Sequence, residues 1–406
     1  MKILMLNFDI KDLGTYYRSY NWAKYLVGVG HQVTIACLSN EQRIKSKIYY
    51  DEGIRILETP SFLAGSRLFS RFSGIQGWGA LDIIIRLREV LCNRYDIIHT
   101  FEHHPNVAIP VYLAPKKQLP ILISDWCDNY GKGGFRDYYQ YRLDYLYRNI
   151  GFPLRKLMDF IERDLRVKSQ GITVISEFLL QRAINMGIEK EKIFLLRDSV
   201  DTNSIRPFQK EVAKDKLGFN KEDRFLAFLG SFQGDLDIAL EAFTLVLRQV
   251  PNIHFLIIGK KDEDVRRKAA NLNLPNKVTQ IGWCSEKQLP WFLSVADAFL
   301  LPMRDNPLNQ ARWPNKIGEY MAVGRPTICT RVGDVAKMIE DEKIGLVSEV
   351  NYEDFAAKIV YILKNQELSM KMGEKARNVA ENKFAIDIQG LRIESIYKTL
   401  LKKITI

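Results

Sequence analysis

Residues 2–38 read KILMLNFDIKDLGTYYRSYNWAKYLVGVGHQVTIACL. The apolar run from Ile3 to Phe8 is followed by a polar loop closing on Gly14, after which Tyr16, Trp22, Ala23, Tyr25 and Leu26 recur at spacings that share one helix face. Gly30-His31 ends that helix, and Val33 to Cys37 is a second β-rich run. Strand, helix and strand in this order form the unit from which parallel sheets are built. The same pattern returns at 95–99, 120–124 and 171–175. A charged stretch from Arg206 to Arg224 interrupts it, and Phe225 to Gly230 then reads as the first strand of a second sheet. His254–Gly259, Val278–Gly282, Ala298–Leu301 and Pro326–Thr330 continue that sheet, with helical patterns between them.

The fold expected is α/β, with two doubly wound Rossmann-like domains facing a central cleft and ligands at the carboxyl ends of the strands. Residues 1–204 are expected to form the first domain and 205–384 the second. Residues 385–406 are expected to form a helix that packs back on the first. The chain has 406 residues, 47% of them hydrophobic and 26% charged, which suits large buried cores and argues against disorder or a fibre.

The formal charge of +11 favours an anionic partner, though phosphate, acidic lipid and nucleic acid would all serve. Five scattered cysteines without a C-x-x-C pair give neither a disulfide framework nor a zinc site, and a reducing cytoplasm is expected. Asn7 and Asp9 interrupt the opening apolar run, so it reads as a buried strand and not a signal peptide. No uncharged apolar stretch approaches the roughly 18 to 20 residues of a spanning helix, so any membrane contact is peripheral.

Several stretches resemble one family. They are Gly171 to Glu177, Leu195 to Asp201, Gly230-Ser231, Ile281-Gly282-Trp283 and, above all, the run from Lys316 through Gly318-Glu319 to Gly324-Arg325-Pro326. Together they are similar to the GT-B retaining glycosyltransferases of family 4, also called glycosyltransferase group 1. That resemblance implies transfer of a sugar from a nucleotide diphosphate donor with retained anomeric configuration, and without a metal or other cofactor.

Glu319 lies in the first turns of a helix opened by Pro314 and Asn315, where a carboxylate can accept two hydrogen bonds from vicinal ribose hydroxyls. Lys316, three residues earlier on the same face, can meet a diphosphate beside the helix start. The alternatives are a solvated glutamate and a surface lysine. The family often carries a further glutamate eight residues before Glu319, and Ala311 stands there; Asp305, Asn306 and Asn309 are possible substitutes in the same loop. The family also clamps the diphosphate with an Arg and a Lys after the first strand of the second domain. Here that segment is Gly230-Ser231-Phe232-Gln233-Gly234-Asp235, which leaves Arg312 and Lys316 as the nearest cations. The resemblance also implies substrate contacts for Ser231, Gly282 and Asn315.

In the first domain, Gly14-Thr15 resembles the family's glycine loop, and Arg18 follows as either a substrate contact or helix surface. Among His99, His103 and His104, His103 matches the histidine that contacts the reacting sugar, whereas His99 reads as structural. Asp125 and Asp128 either flank an acceptor hydroxyl or cap a turn, and Ser176 either touches the donor or caps a helix.

Residues 61–94 and 135–168 mix aromatic and aliphatic residues with arginines. They suit an anionic bilayer or a lipid-phosphate-linked acceptor, or else they are ordinary domain helices. The expected function is therefore a retaining hexosyltransferase that uses a nucleotide-sugar donor and a glycan or lipid-linked acceptor at the cytoplasmic membrane face, in cell-envelope glycan synthesis. A non-catalytic GT-B-like binding protein is the alternative. A nicotinamide oxidoreductase is disfavoured by the lack of G-x-G-x-x-G, and no reading motif supports nucleic-acid binding.

Overall fold

The computed structural model describes residues 1–61, 77–131, 133–135, 151–230, 234–274 and 276–405. Parts of the two basic, aromatic segments, 62–76 and 136–150, lie outside the described residues. Two compact units emerge, one from Met1–Ser199 with Ile386–Ile406, the other from Val200–Ala385. Residues 200–204 were expected in the first domain but belong to the second. Val200 donates its N–H to Phe384 O at 2.8 Å, and Arg377 donates to the carbonyls of Thr202 and Ile205.

The first unit is built on an eight-stranded sheet. Its strands are β1 (Lys2–Ile10), β2 (Gln32–Leu38), β3 (Lys47–Asp51), β4 (Ile54–Thr59), β5 (Ile97–Phe101), β6 (Ile121–Trp126), β7 (Gly171–Val174) and β8 (Ile193–Leu195), in the order β3-β4-β2-β1-β5-β6-β7-β8. All neighbours are parallel except the edge pair β3 and β4. The described helices of this unit include α1 (Thr15–Gly28), α2 (Ala80–Cys92), α3 (Pro105–Leu113), α4 (Gly151–Lys168) and α5 (Glu177–Asn185).

Strand β1 shows why both faces must be covered. Ile3 and Met5 enter one buried cluster with Trp22 of α1 and with Ile393 and Tyr397 of the C-terminal helix; Leu4 and Leu6 enter the opposite cluster with Val90, Val107 and Leu165 of α2, α3 and α4. A strand buried on both faces reads as a continuous apolar run, which is how β1 reads. The C-terminal helix, Ile386–Thr405, crosses α1 closely: a Cβ on Gly390 would collide with the Tyr25 ring.

The second unit has a six-stranded, wholly parallel sheet. Strands β9 (Arg224–Leu229), β10 (Ile253–Ile258), β11 (Val278–Gly282), β12 (Ala298–Leu301), β13 (Thr327–Thr330) and β14 (Gly345–Ser348) lie in the order β11-β10-β9-β12-β13-β14. Helices α6 (Leu236–Gln249), α7 (Pro307–Ala311), α8 (Lys316–Ala322) and α9 (Tyr352–Lys364) are the ones the site and core need. Phe243 of α6 and Phe355 of α9 pack with Leu226, Phe255 and Ile328 in one buried cluster. Among the described residues, no helix is long and apolar enough to cross a membrane.

Candidate functional site

In the first unit, the predicted residues gather where β1, β5, β6 and β7 end. Gly14 has φ 48° and precedes α1, and a side chain there would strike the carboxylate of Asp9. Asp9 Oδ2 accepts the N–H of Thr15 at 3.2 Å, so an internal carboxylate faces the N-terminus expected to approach a phosphate. Thr15 is buried, and its hydroxyl lies 3.4 Å from the Cys127 thiol.

Arg18 is neither helix surface nor an open substrate contact. It is 2% exposed, donates two hydrogen bonds of 2.9 Å to Asp125, and reaches Asp198 at 2.6 Å and Leu196 O at 2.7 Å. Burial works against its charge, yet Asp125 and Asp198 together push its pKa above the ordinary value. This corrects the roles expected of both Arg18 and Asp125, because each occupies the other. His99 is likewise internal, bonded to Tyr397 Oη at 2.7 Å and Thr173 Oγ1 at 3.2 Å. Burial holds its pKa well below the usual histidine value.

The turn after β5 is shaped by Glu102, a residue not singled out from the sequence. Its φ is 66°, in the left-handed region that non-glycine residues seldom adopt. Its fully buried carboxylate accepts the N–H groups of Cys127 at 2.7 Å and Asp128 at 2.9 Å, together with Arg166 Nη2 at 3.2 Å. Arg166 in turn lies 4.0 Å from the Trp126 ring centre. Glu102 thus ties the β5 turn to the end of β6. The Nδ1 of His103 stands 3.5 Å from Glu102 Oε2, and His104 stacks on Phe8 at 3.9 Å. The signal in the sequence was position alone, a carboxylate directly after a buried strand. Ser176 caps α5 by accepting the N–H of Leu179 at 3.3 Å, as one of its two readings had it.

The second unit places Lys316 and Arg312 around one small pocket. The Nζ of Lys316 lies 3.8 Å from the Phe228 ring centre, and only 2.6 Å from where a Cβ on Gly230 would stand. The ammonium therefore reaches the end of β9, the segment from which the expected Arg and Lys are missing. A small, half-open pocket is lined there by Phe228, Asp235, Leu301, Met303, Arg312 and Lys316, among others. Burial, then the neighbouring Arg312, pushes the Lys316 pKa well below the usual lysine value, against the pull of Glu319 and Asp235.

Asn309 supports this pocket. It donates to Asp235 at 2.8 Å and to Arg304 O at 2.9 Å, and lies 3.5 Å from Arg312 Nη1. Asn306 caps α7 through Asn309 N at 2.9 Å, and the exposed Asp305 accepts from Gln310. These bonds engage both residues in shaping the loop. Ala311 is fully buried, Asn315 opens α8, and Glu319 is half-buried on that helix. Gly282 ends β11 with φ 89° and its carbonyl accepts the N–H of Gly259. Ser231 lies outside the described residues.

The family model described as Glycosyltransferase Family 4 matches residues 17–204, and that described as Glycosyl transferases group 1 matches residues 209–379. The chain belongs to the group 1 glycosyltransferases. An uncharacterized 41.2 kDa protein in the cps region of Klebsiella pneumoniae is 23% identical over 348 residues, covering 83% of this chain and 88% of that protein. A putative teichuronic acid biosynthesis glycosyltransferase of Bacillus subtilis, TuaH, is 25% identical over 56% of each chain. Among solved structures, sucrose-phosphate synthase from Thermosynechococcus elongatus superposes with a TM-score of 0.74 at 14% identity over 99% of both chains. HepE from Anabaena, in complex with UDP and glucose, does so with 0.72 at 13% identity over 98% of this chain and all of that one. The group 1 glycosyltransferase thus has the two parallel-sheet domains of the GT-B enzymes.

Proposed function

We propose that this glycosyltransferase moves a sugar, with retention, from a nucleotide diphosphate donor to a glycan or lipid-linked acceptor of a cell-envelope polysaccharide, at the cytoplasmic membrane face. The observation that carries the reading is Lys316 Nζ above the end of β9 with Arg312 on the same pocket. Two cations there supply charge for a departing diphosphate without requiring a metal. The names of the capsule-region and teichuronic acid relatives favour an envelope polysaccharide, and the UDP complex of HepE favours a nucleotide-sugar donor. Ala311 and the absent basic residues after β9 favour the second reading, a binder that transfers nothing.

Donor consumption that depends on an acceptor separates the two readings. Glu319→Ala should weaken nucleotide-sugar affinity by roughly tenfold to a hundredfold, as expected for loss of hydrogen bonds to a charged group. Its ligand-free melting temperature should fall by less than about 4 °C. Isothermal titration with undiminished affinity would remove Glu319 from the donor site.

His103→Ala should lower turnover by about a hundredfold or more while leaving donor affinity within a few fold, since a group at the reacting sugar acts mainly in the transition state. His99→Ala should lower stability instead, because it leaves a cavity beside Trp22 and Phe101 and takes from the buried Tyr397 hydroxyl its 2.7 Å partner. Equal and normal turnover in both variants would overturn this division of roles.

A further inference from the structure

The amino ends of β9, β12 and β13 lie side by side in the second sheet, at the edge opposite the pocket of Lys316 and Arg312. Arg224 opens β9, Asp297 immediately precedes β12, and Arg325 stands two residues before β13. With α9 and the helices Lys210–Leu217 and Gln366–Val379 they wall a half-open cleft of about 770 Å³. The cleft and the Lys316 pocket share no lining residue. Helix α8 separates them: Lys316 is its first residue, whereas Val323, Gly324 and Arg325, just past its end, line the cleft.

Asp297 is the carboxylate of the inner wall. Its Oδ1 lies 2.7 Å from Lys210 Nζ and 3.8 Å from Arg224 Nη2, while Oδ2 accepts the N–H of Phe225 at 2.8 Å. Arg325 donates to the carbonyls of Ala296 at 3.0 Å, Gly324 at 3.2 Å and Ser294 at 3.3 Å. Those acceptors are neutral, and among the described residues no carboxylate pairs with this guanidinium, which has N–H donors to spare beyond these bonds. One carboxylate therefore faces three half-buried cations. Arg377 is engaged with Glu381 at 2.7 Å, and the remaining acids of the lining, Glu211 and Glu374, are exposed at the rim. Burial pushes the Lys210 pKa below the usual lysine value against the pull of Asp297, and Arg325 adds to the fall.

We infer that this cleft is a second ligand site, which takes a small phosphorylated molecule with its phosphate among Lys210, Arg224 and Arg325. A guanidinium fork and an ammonium match phosphate oxygens, and the phosphate adds the counter-charge that Asp297 alone does not provide. The volume falls within the range of about 300 to 1,000 Å³ usual for small-molecule sites, so it has room for more than the phosphate. Ile362 and Met370 on the same lining offer apolar contact to the remainder. The inference does not rest on sugar transfer.

The test is calorimetric titration of the full chain with inorganic phosphate and with glucose 1-phosphate, in the wild type and in Lys316→Gln/Arg312→Gln. Saturable binding that survives in this double variant is expected, because the two linings are separate. Arg325→Gln should weaken it at least about tenfold, the effect of losing charge-assisted hydrogen bonds. Arg224→Gln should weaken it about threefold, as suits a more exposed charge. The Arg224 side chain is 31% exposed, so this variant keeps its fold and decides the matter if Arg325→Gln, stripped of its carbonyl bonds, does not. Tighter binding of glucose 1-phosphate marks an ester as the ligand and equal binding marks free phosphate; both support the site. The inference is overturned if neither probe saturates, if Lys316→Gln/Arg312→Gln abolishes binding, or if Arg325→Gln and Arg224→Gln bind as the wild type does. Donor consumption enters none of these readings, so failure here and failure of the proposed function are told apart.

Discussion

Lys316→Gln/Arg312→Gln should lower turnover at saturating donor and acceptor by about a hundredfold to a thousandfold, the loss typical of removing preorganised charge from a transition state. Negative charge on the leaving diphosphate grows as the sugar departs, so the two cations bind the transition state better than the ground state. Donor affinity should fall less than turnover. The pocket geometry gives the prediction a pH signature. The Lys316 ammonium is pushed toward its neutral form by burial and by Arg312, and a bound diphosphate pulls it back. Donor binding should then take up a proton, so affinity falls as pH rises through the interval between the free and bound pKa values. Calorimetry in buffers of different ionisation enthalpy measures that uptake directly. If backbone N–H groups carried the diphosphate, the double variant would lose little, and its loss would shrink with salt. Near-normal turnover with no proton uptake would sink the relocated cations.

Arg18→Met should destabilise the chain by about 3 to 5 kcal/mol, the cost of leaving buried partners of an ion pair uncompensated. The guanidinium satisfies Asp125, Asp198 and Leu196 O at once, and it stacks 4.2 Å from the Trp22 ring centre. Removing it leaves the carboxylate of the fully buried Asp125 dependent on the Thr173 hydroxyl. Arg18→Met/Asp125→Leu should recover part of the loss, since a buried pair replaced together by apolar groups often costs little. Urea titration reads both variants. A loss under about 1 kcal/mol for Arg18→Met would mean that water or a rearranged neighbour replaces the guanidinium easily.

Strand positions were legible wherever a strand is buried on both faces. Apolar runs such as Ile3 to Phe8 and Phe225 to Leu229 have no polar side to offer water, so each must be covered by helices above and below the sheet. The hairpin of β3 and β4 was not legible. Lys47–Asp51 is an edge strand with largely exposed side chains, and its Glu52-Gly53 turn, with φ of 46° and 81°, lacks the Asn-Gly or Asp-Gly signal of such turns. Strand β5 was expected at 95–99 and runs from Ile97 to Phe101; Asp96 already donates its N–H to Lys2 O at 2.8 Å, at the point where the chain joins the sheet.

The sequence alone determined that two α/β halves follow one another, where the second sheet begins, and which helix carries Lys316 and Glu319. Those conclusions depend on local periodicity and on short motifs, which neighbouring residues encode together. Tertiary structure alone decided what the charged residues do. Arg18 stands 107 residues from Asp125 and 180 from Asp198, and no local pattern distinguishes an arginine that will be enclosed by two distant carboxylates from one that faces water. Lys316 meets Gly230 only because β9 and α8 are brought together in the second sheet's layer. Burial is a property of the assembled layers, and with burial come the pairings, the shifted proton affinities and the pocket.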